Sequence, residues 1–184
     1  RNITEMPPSH PHLKTYQEGV RRLKVLDLTD PDNPFCWSKQ SQIHGSGKWQ
    51  HSFWQPNLYF LPWHRAYLFY LEEAIRAETE REDFALPYWD WSQHPKIPMA
   101  FLGGETNPLW HGNRRIDPEE APWLEVTQAT QVGSIHDNIA FGAFSRGLES
   151  SPHNFVHSGI GGDMNAPVSA ASDPIFYCHH ANVD

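Results

Sequence analysis

The sequence predicts a mostly α-helical domain: a helical bundle bracketing a central site, with long ordered loops and few short strands. Three observations point there. Residues 11–26 and 63–81 carry apolar side chains close to the 3.6-residue period of a helix. Prolines stand beside the expected helix starts, where a missing N–H costs nothing. The 16 prolines and 12 glycines fall in no repeat, which argues for ordered loops between the helices.

The elements follow in order. In the first helix, over 11–26, Ser9 is the expected cap and Leu13, Tyr16, Val20, Leu23 and Val25 form the apolar stripe. The second covers 63–81, with Pro62 just ahead of it. Its buried stripe is Tyr67, Leu68, Leu71, Ala74 and Ile75, with Glu72, Glu73, Arg76, Glu78 and Glu80 on the other faces. From 86 to 146 the chain is rich in proline, glycine and tryptophan and reads as irregular, with a short strand expected around 85–88. A loop of that length in a compact domain is functional or packed by its own aromatics. A short third helix surrounds 152–158. The fourth starts at Asp173-Pro174, an acidic cap followed by a first-turn proline, and runs through Phe176 and Ala181. Asp184 is no stop signal, so this helix is expected to continue. Residues 1–184 therefore read as one domain, incomplete at the C-terminus.

Composition narrows the function. Twenty-two acidic against 14 basic residues give a net charge of −8, a poor match to nucleic acid, which needs a basic face. No apolar run reaches the ~18 residues of a membrane span, so no membrane partner is expected. Two cysteines, Cys36 and Cys178, exclude a disulfide framework and leave one bridge open. Twelve histidines are the unusual count, nearly as many as the lysines and arginines together.

The histidines fall into two groups. His153 and His157 stand four apart in an expected helix, so their side chains share one face and can grip one ion. His179 or His180, in the next helix, can close a set of three. Upstream, His44 and His51 precede the second helix in a loop and His64 starts it. Imidazole sets of this kind suit copper, zinc, iron or nickel, and disfavour calcium and magnesium, which take oxygen ligands. Spacing does not choose among the four metals.

The stretch Phe60-Leu61-Pro62-Trp63-His64-Arg65-Ala66-Tyr67-Leu68, followed by Glu72, resembles the copper A signature of type-3 copper proteins. That family comprises tyrosinases, catechol oxidases and haemocyanins. The copper B signature is resembled, in order, by Pro152-His153-Asn154-Phe155-Val156-His157, Gly161-Gly162-Asp163-Met164, Asp173-Pro174-Ile175-Phe176 and His179-His180-Ala181-Asn182-Val183-Asp184. The spacer Leu86-Pro87-Tyr88-Trp89-Asp90-Trp91 also matches. The resemblance runs from about His44 to the end and lies nearest a short tyrosinase-like polyphenol oxidase. It implies a helical bundle around a dinuclear copper site. His44, His51 and His64 would hold one of two copper ions and His153, His157 and His180 the other, with His179 behind the ligands. The pattern departs at one point. The family's histidine nine residues before His64 is here Gln55, and the nearest, His51, lies thirteen before.

The resemblance further implies an oxidoreductase that uses dioxygen to oxidise o-diphenols to o-quinones, with monophenol hydroxylation as a further expectation. A haemocyanin-like oxygen carrier is the alternative. Glu149 and Asn154 are similar to the pair that, in the family, activates a water to deprotonate a monophenol. A phenol of pKa near ~10 needs such a base before it can bind as phenolate. Arg65 is expected to pair with Glu72 or with an acid on the last helix, and Phe176 to pack against a ligand imidazole. Trp89, Trp91, Trp110, Trp123 and Tyr67 read as packing residues. His10, His12, His94, His111 and His136 read as surface or loop residues.

Overall fold

The computed structural model describes residues 1–45, 58–124, 133, 135, 137 and 140–184. Among them six helices form the frame: α1 (Pro11–Thr29), α2 (Trp37–Gly45), α3 (Phe60–Thr79), α4 (Phe141–Leu148), α5 (Asn154–Ile160) and α6 (Ile175–Val183). The expected helical class holds. The one β pairing among the described residues is a parallel bridge between Asn2 and Tyr88, so the strand expected around 85–88 is reduced to a single residue. No helix of the described residues is long and apolar enough to cross a membrane.

α1 buries Leu13, Tyr16, Val20 and Leu23 against α3, as the stripe requires, while Val25 stays 41% exposed. Its cap is His10 rather than Ser9: Pro11 opens the helix, and the His10 imidazole accepts from the His12 amide at 3.2 Å. α3 starts three residues earlier than expected, at Phe60, so Pro62 lies inside the first turn. Proline fits there because the first amides of a helix have no carbonyl to bond. The helix stops at Thr79, because Glu80 adopts a left-handed conformation (φ 55°).

Two helices come where the sequence reading had loop. α2 carries Trp37, Gln40 and His44 inward at i, i+3 and i+7. Its first turn is held from outside: the Asp27 carboxylate accepts from the Ser38 amide at 2.9 Å, and the Trp37 indole donates to the Ser172 carbonyl at 3.0 Å. α4 begins inside the stretch read as irregular and runs two residues past its end, and a π turn (Glu149–His153) joins it to α5. The rest of the irregular reading stands over 86–124, where Trp89, Trp91, Phe101, Leu109 and Trp123 are all buried. Cys36 and Cys178 are free thiols in separate buried settings, so no bridge joins them.

α6 is the centre of the molecule: seven of its nine residues are buried. Its start is fixed by the wholly buried Asp173, whose Oδ1 accepts from the Ile175 amide at 3.0 Å. Arg114 reaches the same carboxylate with two bonds, of 2.6 and 2.8 Å, and also donates to the carbonyls of Phe101 and Leu109. At the far end Asp184 pairs with Arg65 of α3 at 2.7 Å, the second of the two partners expected for that arginine. Glu72 instead bonds Arg76 and the Leu86 amide. These ties lay α6 antiparallel to α3, with His180 beside His64 and Tyr177 beside Tyr67.

Candidate metal centre

Three histidines meet between α5 and α6. The Nε2 atom of His180 lies 3.3 Å from Nε2 of His153 and 3.3 Å from Nε2 of His157. The other ring nitrogens face acceptors. Nδ1 of His153 lies 3.1 Å from the Glu149 carbonyl and 3.1 Å from the Asn154 Oδ1, and Nδ1 of His157 lies 2.7 Å from the Met164 carbonyl. A carbonyl only accepts, so each Nδ1 must carry the hydrogen and each Nε2 a bare lone pair. Two lone pairs therefore point at one atom of His180, whose Nδ1 has no hydrogen-bond partner among the described residues; the metal-free ring can answer them with an Nε2–H, and a cation bound by all three nitrogens takes that hydrogen's place. An ion ~2.0–2.1 Å from tetrahedrally arranged imidazole nitrogens sets them ~3.3 Å apart, the spacing seen. The residues thus fit a late first-row metal held by three imidazoles.

A second pair stands against this set. His64 stacks on His180 with centroids 4.1 Å apart and planes 9° apart, and His44 lies 5.5 Å from His64. Their Nδ1 atoms are also tied to carbonyls, His64 to Phe60 at 2.8 Å and His44 to Pro167 at 2.7 Å. These four rings are thereby oriented with Nε2 inward, and His180 turns its own Nε2 toward His153 and His157. His51 and Gln55 lie outside the described residues, as does His136.

One loop serves both groups. Met164 and Pro167, three residues apart, supply the carbonyls for His157 and His44. Two close approaches seat that loop. A Cβ on Gly162 (φ 56°) would fall 1.4 Å from the Asn113 carbonyl oxygen, and one on Gly45 would fall 2.4 Å from that of Val168. Only glycine fits either place. Phe176 fills the floor, 4.2 Å from His180 and 4.8 Å from His44, as expected, and Phe60 packs 4.8 Å from both His64 and His153.

Burial sets the charge state. It pushes the pKa of His157 down to about 4, and it pushes those of His153, His179 and His180 well below the usual imidazole value, where neighbouring imidazoles add to the effect. All are neutral at pH 7, the form in which imidazole binds a metal.

The residues expected to handle protons lie at the edge. Glu149 is half-buried in the π turn, with its carbonyl on His153, and Asn154 is exposed at the start of α5. The Asn154 side chain shares the His153 Nδ1 hydrogen, a role the sequence did not show. His179 is wholly buried and accepts from the Trp91 indole at 2.9 Å, so Trp91 is more than a packing residue. The other histidines have structural partners: His12 accepts from the Ala85 amide, His94 lies 3.7 Å from Glu5, and His111 bonds Asp163 at 2.7 Å.

Comparisons with known proteins bear on the family and the fold. Residues 31–132 and 111–184 match the family model described as the common central domain of tyrosinase. Tyrosinase HcTyr1 of Hahella sp. (strain CCB-MM4) is 35% identical over 94% of this chain and 49% of its own length. The chloroplastic catechol oxidase B of Solanum tuberosum is 28% identical over 97% of this chain and 39% of its own length. In fold, the Grenache (Vitis vinifera) polyphenol oxidase superposes with a TM-score of 0.79 at 22% identity, covering 100% of this chain and 67% of that one. A latent aurone synthase does so with a TM-score of 0.82 at 23% identity, covering 100% and 45%. The chain spans about half or less of the length of these curated relatives.

Proposed function

The chain belongs to the tyrosinase family of type-3 copper proteins, and from that premise we propose that it is the dicopper domain of a polyphenol oxidase, oxidising o-diphenols to o-quinones with dioxygen. The observation that carries the reading is the convergence of inward-facing Nε2 atoms, with three of them at metal-ligand spacing. His153, His157 and His180 would hold one copper, and His44 and His64, with His51, the other. Two such ions, moving between Cu(I) and Cu(II), supply the two-electron chemistry that couples dioxygen reduction to phenol oxidation.

The protein's own part is to orient and to exclude. Backbone carbonyls fix four imidazoles in one tautomer, so no ring need turn or lose a proton as the metal cycles. Phe60 and Phe176 keep the floor apolar and bar water from beneath. Named oxidases among the relatives favour this reading over the oxygen carrier.

Hydroxylation of monophenols is the finer proposal. A phenol must lose its proton to bind as phenolate, and Glu149, whose backbone carbonyl meets the His153 Nδ1, would supply the carboxylate at that end of the site. It would act through a water at the site's edge. Asn154, exposed beside it, would hold His153 with its Oδ1 and leave its amide group for that water. Steady-state oxidation of a monophenol and its o-diphenol by copper-loaded protein tests both levels. Turnover of the diphenol is expected, and copper-loaded protein inert toward every o-diphenol would overturn the reading.

A further inference from the structure

Four histidines, not three, crowd the α5–α6 site. His153, His157, His179 and His180 each offer a nitrogen within 4.8 Å of the others. We propose that the Trp91 indole bars His179 from the metal, holding this site at three imidazoles with a coordination position open. The inference rests on the copper reading above and deepens it.

The argument is one of tautomers. An indole N–H only donates. Its 2.9 Å bond to Nδ1 of His179 therefore claims that nitrogen's lone pair, and the hydrogen of the neutral ring must sit on Nε2. His153 and His157 carry the opposite tautomer, with Nδ1–H on carbonyls and Nε2 bare. His179 thus carries a hydrogen on the nitrogen where His153 and His157 carry lone pairs. That Nε2 is buried with no hydrogen-bond partner among the described residues. An apolar side chain would fill the same space without an orphan donor.

Without the indole N–H, His179 is free to carry its hydrogen on Nδ1 and turn a bare Nε2 inward. It is close enough to compete, its ring stacked near His153 (centroids 5.1 Å apart, planes 16° apart) and edge-on to His157 at 4.9 Å, with a nitrogen within 4.8 Å of theirs. A fourth imidazole would give the closed, four-ligand arrangement of structural sites, whereas a catalytic site keeps a position for substrate.

The test uses the full copper-loaded chain and azide, a small anion that needs an open position. Wild type, Trp91→Phe and Trp91→Phe/His179→Phe are titrated, and the azide-to-copper charge-transfer band is read. Trp91→Phe is expected to weaken azide binding by about tenfold or more, the scale of losses at residues that orient metal ligands, and the double variant to restore it. Azide binding by Trp91→Phe within twofold of wild type would overturn the proposal. So would a loss that persists in the double variant, since His179 would then not be its cause. A measurement on wild type stands if Trp91→Phe fails to fold. Histidine 15N shifts of the Cu(I)-loaded protein should show His179 alone of the four as the Nε2–H tautomer, and an Nδ1–H there would refute the lock. If wild type takes up no copper, the copper reading itself has failed. If it takes up copper and azide but lacks the variant pattern, only this inference has.

Discussion

Replacing Arg114 with methionine should unfix the helix that carries His180. Arg114 and Asp173 form a buried pair, their side chains 8% and 0% exposed, and Asp173 caps α6 through the Ile175 amide. Methionine keeps much of the apolar length but removes two bonds to the carboxylate and two to the carbonyls of Phe101 and Leu109. A charge stranded by loss of its buried partner costs about 3–5 kcal/mol. That is a large share of a total stability of ~5–15 kcal/mol. At ~2–4 °C per kcal/mol for a chain of this size, the melting temperature should fall by roughly 6–20 °C. Calorimetry at pH 7 on wild type, Arg114→Met and Arg114→Met/Asp173→Asn is the assay. The double variant should regain much of the loss, because asparagine strands no charge and still caps the helix. A single variant within about 1 kcal/mol of wild type, or a double variant no better than the single, would refute the reasoning.

Three further outcomes follow. His157→Ala removes one of three converging nitrogens from a half-buried position, so copper per chain should fall from two to one while far-ultraviolet circular dichroism is unchanged. Glu149→Gln should lower monophenol turnover by at least about tenfold, the low end of proton-transfer catalysis, and leave diphenol turnover nearly intact; equal losses would make Glu149 structural. The metal-free protein should lose stability as pH falls from 6.5 toward 4, a window set by the ordinary imidazole pKa and that of His157. There the unfolded chain binds protons that the buried imidazoles refuse, so stability rises with pH and levels off above 6.5. The slope is at most about 1.4 kcal/mol per pH unit for each such histidine, and urea titrations across that range measure it.

What the sequence showed and what it hid have separate physical causes. α1 and α3 were legible because a long stripe repeats the helical period, and the His153–His157 pair because four residues make one turn. α2 was not, because its stabilising partners are remote: Asp27 caps it and Ser172 receives its indole, and neither is visible in a nine-residue window. α4 has no side-chain cap to announce it. At the site the converging histidines were legible as side-chain types. The groups that orient them were not, because Phe60, Glu149, Met164 and Pro167 act through backbone carbonyls, which any residue carries. Trp91 was legible only as an aromatic, since its role depends on where its N–H points.

The most direct test of the two-copper account is anomalous diffraction at the copper edge from crystals of copper-loaded protein. The account predicts two peaks, one equidistant from Nε2 of His153, His157 and His180, the other beside Nε2 of His44 and His64 with His51 completing it. A single peak would contradict it, as would a peak ligated by His179 in place of His180.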